Sequence, residues 1–569
     1  MARSDGAGGA LPVRCDLLSE GGGGSSRPDS TAASMAAAGV PTWLRNRGHD
    51  RPWTGPSSVP ITSRPPRDSS PGRPRSMAET NSPRRPPKAR VFVLYTGGTI
   101  GMVPKDGRPG NPLVPGSIEQ IEQAVDRLLP SDLGIQCTVA GPLRDGPLDS
   151  SDVSAAHWKE IAHLVRDAYD QFDGFVILHG TDTMAYTSSV LSFMLENLGK
   201  PVVITGSQLP LSNPRTDARL NLVNSIYIAG YKATGLPRLS EVALCFGESL
   251  LRGCRARKDT TSDINGFDSP NFPPLGRLGE YISIDRRLLR RAPSARQRFA
   301  VFDDLLEDVA LLDIFPTMTP ELLRQMIAPE KKIPRVIIIR TFGAGNMQSE
   351  RLHPGLIEVI REATARGKAI INVTQCRRGM VQQGLYEASA HLAEVGAISG
   401  ADMTPEAALA KAFVVGGRTS GPGFAQQVLR DLVGEQSVTN HVVQFRQEAA
   451  RHAASCRFQG DMPGTMDGDD LFEAVLVVSG VDTGGAPTRL RVFASAPGAD
   501  PDTPESDGHF VAAKDLDGSS HRIAFPIKER FEQLFKAGGV LDLTLVNTNR
   551  AELAVRDVQL SVIERTVSL

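Results

Sequence analysis

From Arg90 to about Val433 the chain alternates short apolar runs, rich in β-branched residues, with stretches of helical periodicity. "RVFVLY" opens the series, and "GFVILHG" is followed by "TDTMAYTSSVLSFMLENLGK", whose Met184, Leu191, Met194, Leu195 and Leu198 recur at helical spacing. "PVVITGSQLP" leads into "DARLNLVNSIYIAGY", and "EVALCF" follows. The pattern resumes after the charged stretch 285–299 with "DVALLDIFP", "ELLRQMI", "RVIIIRTFGAGN", "LIEVIREATARG" and "KAIINVTQC". Strands that are apolar throughout, separated by helices, predict parallel sheets covered on both faces. The charged stretch reads as a linker, giving a larger α/β unit at 89–290 and a smaller one at 300–435.

The tail, 455–569, has a different rhythm. "FEAVLVVSGV", "TRLRVFAS", "HRIAFPI", "VLDLTLVNT" and "LAVRDVQLSVIE" are strand-like and divided by Gly, Pro and Asp turns, with "KERFEQLFKAG" as the one helical stretch. A separate all-β, sandwich-like domain is expected there. Residues 1–88 are rich in Gly, Ser, Pro and Arg, a composition that buries too little apolar surface to offset its ordering entropy. Disorder is expected. Two readings of this extension stay open: a transit peptide, given Arg45, Arg47, Arg51 and Arg64, or sequence lying upstream of a start at Met77.

A length of 569 residues exceeds what one core serves, in keeping with several domains. The net charge of −1 argues against nucleic acid or an anionic membrane as the main partner. No apolar stretch is long enough to span a bilayer. The six cysteines are scattered without a CxxC pair, which suits a reducing compartment better than a disulfide framework or a zinc site. The ten histidines include no HExxH, so no metal is expected.

Ligands of open α/β sheets bind beyond the carboxyl ends of the strands. Four loops carry small polar groups or a cation at such ends: Thr96-Gly97-Gly98-Thr99, Asp149-Ser150-Ser151-Asp152, Gly180-Thr181-Asp182-Thr183, and "RGCRARKDTTSD" with Lys258. Each has a plain structural reading. Thr181 or Asp182 is a natural cap for the following helix, as Ser150 or Asp152 is for the helix containing Trp158, and an isolated lysine is usually solvated. Taken together they suggest chemistry. A threonine hydroxyl needs a base or proton relay to act as a nucleophile. A second threonine, a lysine and a carboxylate held ionised by that lysine would supply one. Backbone N–H groups of the glycine loops would face a developing oxyanion, a device worth roughly 3 to 4 kcal/mol per donor. The reaction class this suggests is acyl transfer through a threonyl ester.

"YTGGTIGM", "DSSDVSAAHW", "GFVILHGTDTMAYTSSVLSFMLENLGKPVVITGSQ", "RGCRARK", "GFDSPNFPPL" and "GADMTPEAALAK" resemble the cytoplasmic, type I L-asparaginases of the asparaginase/glutaminase family, over about 90–435. The resemblance implies a larger flavodoxin-like N-terminal subdomain, a smaller C-terminal one, and sites at the subunit contacts of a homodimer or homotetramer. By motif, Thr99 would be the nucleophile, with Thr181, Asp182 and Lys258 assisting proton transfer. Ser150, Ser151 and Asp182 would hold the substrate's α-carboxylate and α-amino groups. Ser207 of "TGSQ" would sit where a backbone carbonyl receives the leaving amide, and Asn346 of "FGAGN" would reach a neighbouring subunit's site. The substrate would be L-asparagine, the products aspartate and ammonia, the cofactor none, and the location cytoplasmic unless the N-terminal extension directs organellar import.

Two departures stand out. Some type I enzymes have an allosteric asparagine site that uses a threonine before the lysine and a cysteine in "TQC". Here Cys376 is present but Arg257 precedes Lys258, which puts inherited allosteric control in doubt. The segment "VPKDGRPGNPLVP" also lacks the tyrosine that several members carry there. The tail faintly resembles a small β domain appended to tyrosinase-type copper oxidases. It brings no copper-binding histidine set, so a passive stabilising or oligomerising module is expected.

Three other readings compete with this one. The amide-donor subunit of a tRNA-dependent amidotransferase would need an N-terminal barrel that residues 1–88 cannot form. A lysophospholipase-type activity is suggested by mammalian relatives with ankyrin repeats, and no repeat of about 33 residues is visible. A scaffold that had lost its chemistry would be expected to lose Thr99, Thr181, Asp182 or Lys258, and all four are present.

Overall fold

Five strands become parallel neighbours, in the spatial order Val242–Phe246, Val202–Thr205, Gly174–Leu178, Ala89–Tyr95, Ile135–Ala140. Ser249–Arg252, Gly276–Leu278 and Ile282–Ile284 extend the sheet antiparallel at the Val242–Phe246 edge, making eight strands. The two-residue pleat sends alternate side chains to opposite faces. Phe92, Leu94, Phe175, Ile177 and Ile204 join one core, while Val91, Val93, Val176, Leu178 and Val203 join the other. Helices Ala155–Ala168 and Met184–Met194 cover the first face. Ile118–Leu128 and Ala218–Ala229 cover the second. The edge strand Ile135–Ala140 alternates half-buried and exposed residues, so it lacks the continuous apolar run that marks the inner strands.

The computed structural model describes residues 88–108, 110–383, 387–449, 452–462, 471–518, 521–534 and 539–566. The expectations of disorder, transit and a start at Met77 concern residues outside these ranges. Among the described residues no helix is long and apolar enough to cross a membrane. No group of three or more His, Cys, Asp or Glu among them is placed to hold a metal ion.

The helix expected to run on through Leu195 and Leu198 ends at Met194. Leu195–Glu196 instead pairs antiparallel with Ala300–Val301, and both leucines still reach the core. The smaller sheet is parallel, in the order Val309–Asp313, Val336–Thr341, Ala369–Thr374, Ile398–Ser399. Its helix Pro405–Arg418 packs on the larger unit: Ala410 and Val414 enter that unit's core, and Phe413 lies 5.8 Å from Trp158 between ring centres. A buried ion pair, Arg255 with Asp402 at 2.7 Å, crosses the joint, and within the smaller unit Lys411 pairs with Glu435 at 2.6 Å.

The C-terminal region is β-rich, with two antiparallel sheets. One orders Val438–Gln444, Asp557–Arg565, Leu471–Val481 and His521–Pro526. The other orders Arg446–Glu448, Ser455–Asp461, Val540–Asn547, Thr488–Ala494 and Phe510–Leu516. Leu476, Val478 and Leu560 from the first share one core with Phe458, Val492 and Leu545 from the second. The first strand of this region, Val438–Gln444, precedes the expected boundary at 455. Its polar sequence "VTNHVVQ" does not announce a strand.

Candidate active site

The carboxyl ends of three parallel strands meet backbone to backbone, and glycines make this possible. Gly97 and Gly98 have φ of +124° and +81°, values that L side chains rarely adopt. A Cβ on Gly97 would lie 2.2 Å from the Leu148 carbonyl oxygen, and one on Gly98 would lie 2.4 Å from the Gly180 Cα. The close approach is used at once: Gly98 N–H donates to the Leu148 carbonyl at 3.0 Å, and Leu148 N–H donates to the Thr96 carbonyl at 2.8 Å. Thr96 is buried, and both its N–H and its hydroxyl donate to the Leu178 carbonyl. Thr99 begins a short 3-10 turn, Thr99–Gly101, and is half-buried. Among the described residues its hydroxyl has no hydrogen-bond partner.

The helix-capping readings of the sequence give way here. Helix Ala155–Ala168 is capped by Ser154, in a reciprocal box with His157, and not by Ser150 or Asp152. Thr183 holds the N-cap position of Met184–Met194, and its hydroxyl donates to the Ser150 carbonyl at 2.7 Å. Thr181 and Asp182 are therefore released from capping, and both turn to Lys258. The lysine Nζ donates to Thr181 Oγ1 at 2.8 Å and to Asp182 Oδ1 at 2.5 Å. Lys258 sits on a tight ladder, Arg257–Lys258 against Phe267–Asp268. The Asp182 side chain is 60% exposed, so the ion pair adds at most about 1 kcal/mol to stability. It orients groups rather than holding the fold.

Ser150 is buried, and its hydroxyl accepts the Asp182 N–H at 3.2 Å. Ser151 is exposed, its N–H donated to Asp149 Oδ1 at 2.9 Å. Ser207 is fully buried, with its hydroxyl donating to the Leu209 carbonyl at 2.6 Å. Asn346 lies beyond the strand Val336–Thr341 of the smaller sheet, and its buried Oδ1 has no partner among the described residues. Thr181, Asp182, Lys258 and Ser150 thus form one bonded cluster. Thr99 adjoins it through the Gly98–Gly180 contact, while no side-chain hydrogen bond among the described residues brings Ser207 or Asn346 to it. Arg257 faces Glu406 at 3.8 Å, and Cys376 is exposed on the loop after Ala369–Thr374.

His179 was not singled out from the sequence, although it adjoins "GTDT". It is fully buried, 2.7 Å from the Gly180 carbonyl through Nδ1 and 3.0 Å from Thr187 Oγ1 through Nε2. A carbonyl only accepts, so Nδ1 carries the proton and Nε2 accepts from Thr187, whose oxygen in turn accepts from Trp158 Nε1–H at 2.9 Å. Burial pushes the imidazole down to about 4, against a smaller opposing effect of the Gly180 carbonyl. A neutral histidine thus braces the carbonyl immediately before Thr181. Beside the site, Met102–Pro104 pairs antiparallel with Leu113–Pro115.

Residues 90–290 match the family "Asparaginase, N-terminal", and 308–429 match the "Glutaminase/Asparaginase C-terminal domain". The chain is 38% identical over 325 residues to L-asparaginase 1 of Escherichia coli K12, covering 57% of this chain and 90% of that one. It is 36% identical over 376 residues to the mouse 60 kDa lysophospholipase, covering 62% of this chain and 63% of the relative. The crystal structure of L-asparaginase I from Vibrio cholerae superposes with a TM-score of 0.54 at 35% identity, over 61% of this chain and 99% of that one. With the glycine-lined loops and the Thr181–Asp182–Lys258 cluster inside the matched region, the chain belongs to the asparaginase/glutaminase family of amidohydrolases.

Proposed function

We propose that the chain hydrolyses the side-chain amide of L-asparagine to L-aspartate and ammonia through a threonyl ester on Thr99. The observation that carries this reading is the convergence of Thr181 and Asp182 on Lys258, beside a Thr99 hydroxyl that has no hydrogen-bond partner among the described residues. The Thr99 oxygen adds to the amide carbon, and backbone N–H groups of the glycine loop stabilise the oxyanion. The hydroxyl proton ends on the amide nitrogen, which departs as ammonia and leaves the ester. Water then adds to the same carbon, its proton returns to the Thr99 oxygen, and aspartate is released. Thr181, Lys258 and Asp182 form the relay for these transfers. Ser150, Ser151 and Asp182 hold the α-carboxylate and α-amino groups, and the Ser207 backbone carbonyl receives the amide.

In this reading the larger and smaller α/β units divide as 89–290 and 300–435, the enzyme is a homodimer or homotetramer, and Asn346 serves a neighbouring subunit's site. Arg257, engaged with Glu406 beside the cluster, supports the loss of an allosteric asparagine site near Cys376. Ammonia release from asparagine and from glutamine, measured separately over a wide concentration range, tests the reading. Hyperbolic release from asparagine is expected, and a sigmoidal curve would overturn the allosteric part. The mouse relative's name makes a lysophospholipid the control substrate: fatty-acid release without ammonia release would replace the amide reading.

A further inference from the structure

The hairpin carrying Lys258 is gripped from the other α/β unit by a residue outside the motifs. Arg377 follows Cys376 on the loop after strand Ala369–Thr374. Its Nη1 lies 2.6 Å from Asp259 Oδ1, and its Nη2 lies 2.6 Å from Asp268 Oδ2. Asp259 is the residue after Lys258, and Asp268 is paired with Arg257 across the ladder. One planar guanidinium therefore spans the carboxylates on both strands of the hairpin, a fork that a lysine cannot reproduce. Arg378 adds a longer contact to Asp268 at 3.5 Å. Asn271 locks the same loop: its amide donates to the Gly379 carbonyl at 3.0 Å and the Asp402 carbonyl at 2.9 Å, and it accepts the Gly379 N–H at 2.9 Å.

We infer that Arg377 is a positioning residue for Lys258, holding its hairpin to the smaller unit so that the lysine ammonium stays against Thr181 and Asp182. The inference rests on the proposed amide hydrolysis. The Arg377 side chain is 44% exposed, and ion pairs so placed add little to stability. Their effect falls on where the ammonium points. Asp259 and Asp268 share the face of the hairpin opposite Lys258, so without Arg377 the hairpin loses its tie to the smaller unit and Nζ is no longer held against Thr181.

The test is steady-state ammonia release from L-asparagine by the full chain, with thermal melting as the check on folding. Arg377→Met is expected to lower kcat about ten- to a hundredfold, as displacement of a positioned group does, with KM within about threefold and the melting temperature nearly unchanged. Arg377→Lys, which reaches one carboxylate at a time, is expected to fall between the two. Wild-type kcat in Arg377→Met would overturn the inference, as would an Arg377→Lys no faster than Arg377→Met or a loss that tracks melting. A wild-type chain that releases no ammonia would overturn the underlying reading and this inference together, a result distinct from an active wild type with an unaffected Arg377→Met.

Discussion

Lys258 Nζ donates to Thr181 Oγ1 at 2.8 Å, across a span of 77 residues that joins a strand-end loop to a two-residue ladder. The same nitrogen meets Asp182, so one ammonium settles the direction of two neighbouring side chains. The pairing contributes little to stability because Asp182 is largely exposed. Lys258→Met should therefore lower kcat by roughly a hundredfold or more, in the range expected for losing a positioned proton-transfer group. Its unfolding free energy should stay within about 1 kcal/mol of wild type. Parallel kinetics and urea titration check both halves of the expectation.

The Gly98–Gly180 contact makes a different demand. Alanine at Gly98 would take φ of +81° and place its Cβ 2.4 Å from the Gly180 Cα, with backbone on the other side that cannot step aside. Gly98→Ala should cost at least about 1 to 3 kcal/mol and, by moving Thr99 relative to Thr181, should also abolish turnover. Gly107, where φ is +66° with open space around the position, is the control. Gly107→Ala should show a smaller loss of stability and retain activity. Urea unfolding and ammonia release on both variants decide it.

His179 sets a pH dependence of stability. Its folded value, about 4, lies below the ordinary histidine value of about 6.5, so on acidification the unfolded chain takes up the proton first. Its contribution is complete above about pH 6.5, falls as the pH drops towards about 4, and levels off below, a swing of about 3 kcal/mol. His179→Gln should be less stable at neutral pH and should lack this part of the acid slope. Unfolding free energies at intervals from pH 4 to 8 would reveal the difference, and parallel slopes would contradict it.

Lys411 is completely buried, with Glu435 at 2.6 Å and donations to the Val428 and Arg430 carbonyls. Lys411→Met leaves the Glu435 carboxylate buried without its cation and should cost about 3 to 5 kcal/mol. Adding Glu435→Gln should return part of the loss, since the stranded charge is removed. Thermal melts of the single and double variants measure the recovery.

Much of the larger sheet was legible because its inner strands are buried on both faces and write continuous apolar runs, as in "RVFVLY" and "GFVIL". The edge strand Ile135–Ala140 and the tail strand Val438–Gln444 write no such run, since polar residues share their length. Thr181, Asp182 and Lys258 stood out by motif, yet the sequence also allowed Thr181 and Asp182 as caps. Only the chain's three-dimensional path shows Thr183 in the cap position and frees the other two. His179 and Arg377 were missed for a common reason. Each acts through partners brought together by the fold, Thr187 and Trp158 for one, Asp259 and Asp268 for the other. Local sequence carries no trace of such distances.

The central claim is that the Thr99 hydroxyl is the attacking group. Ammonia release from L-asparagine by the wild-type chain and by Thr99→Ala, with asparagine binding to the variant followed by calorimetry, tests it most directly. The account predicts turnover by the wild type, a loss of about a thousandfold or more in the variant, and asparagine binding retained. A Thr99→Ala chain that keeps more than about a tenth of wild-type kcat would contradict it.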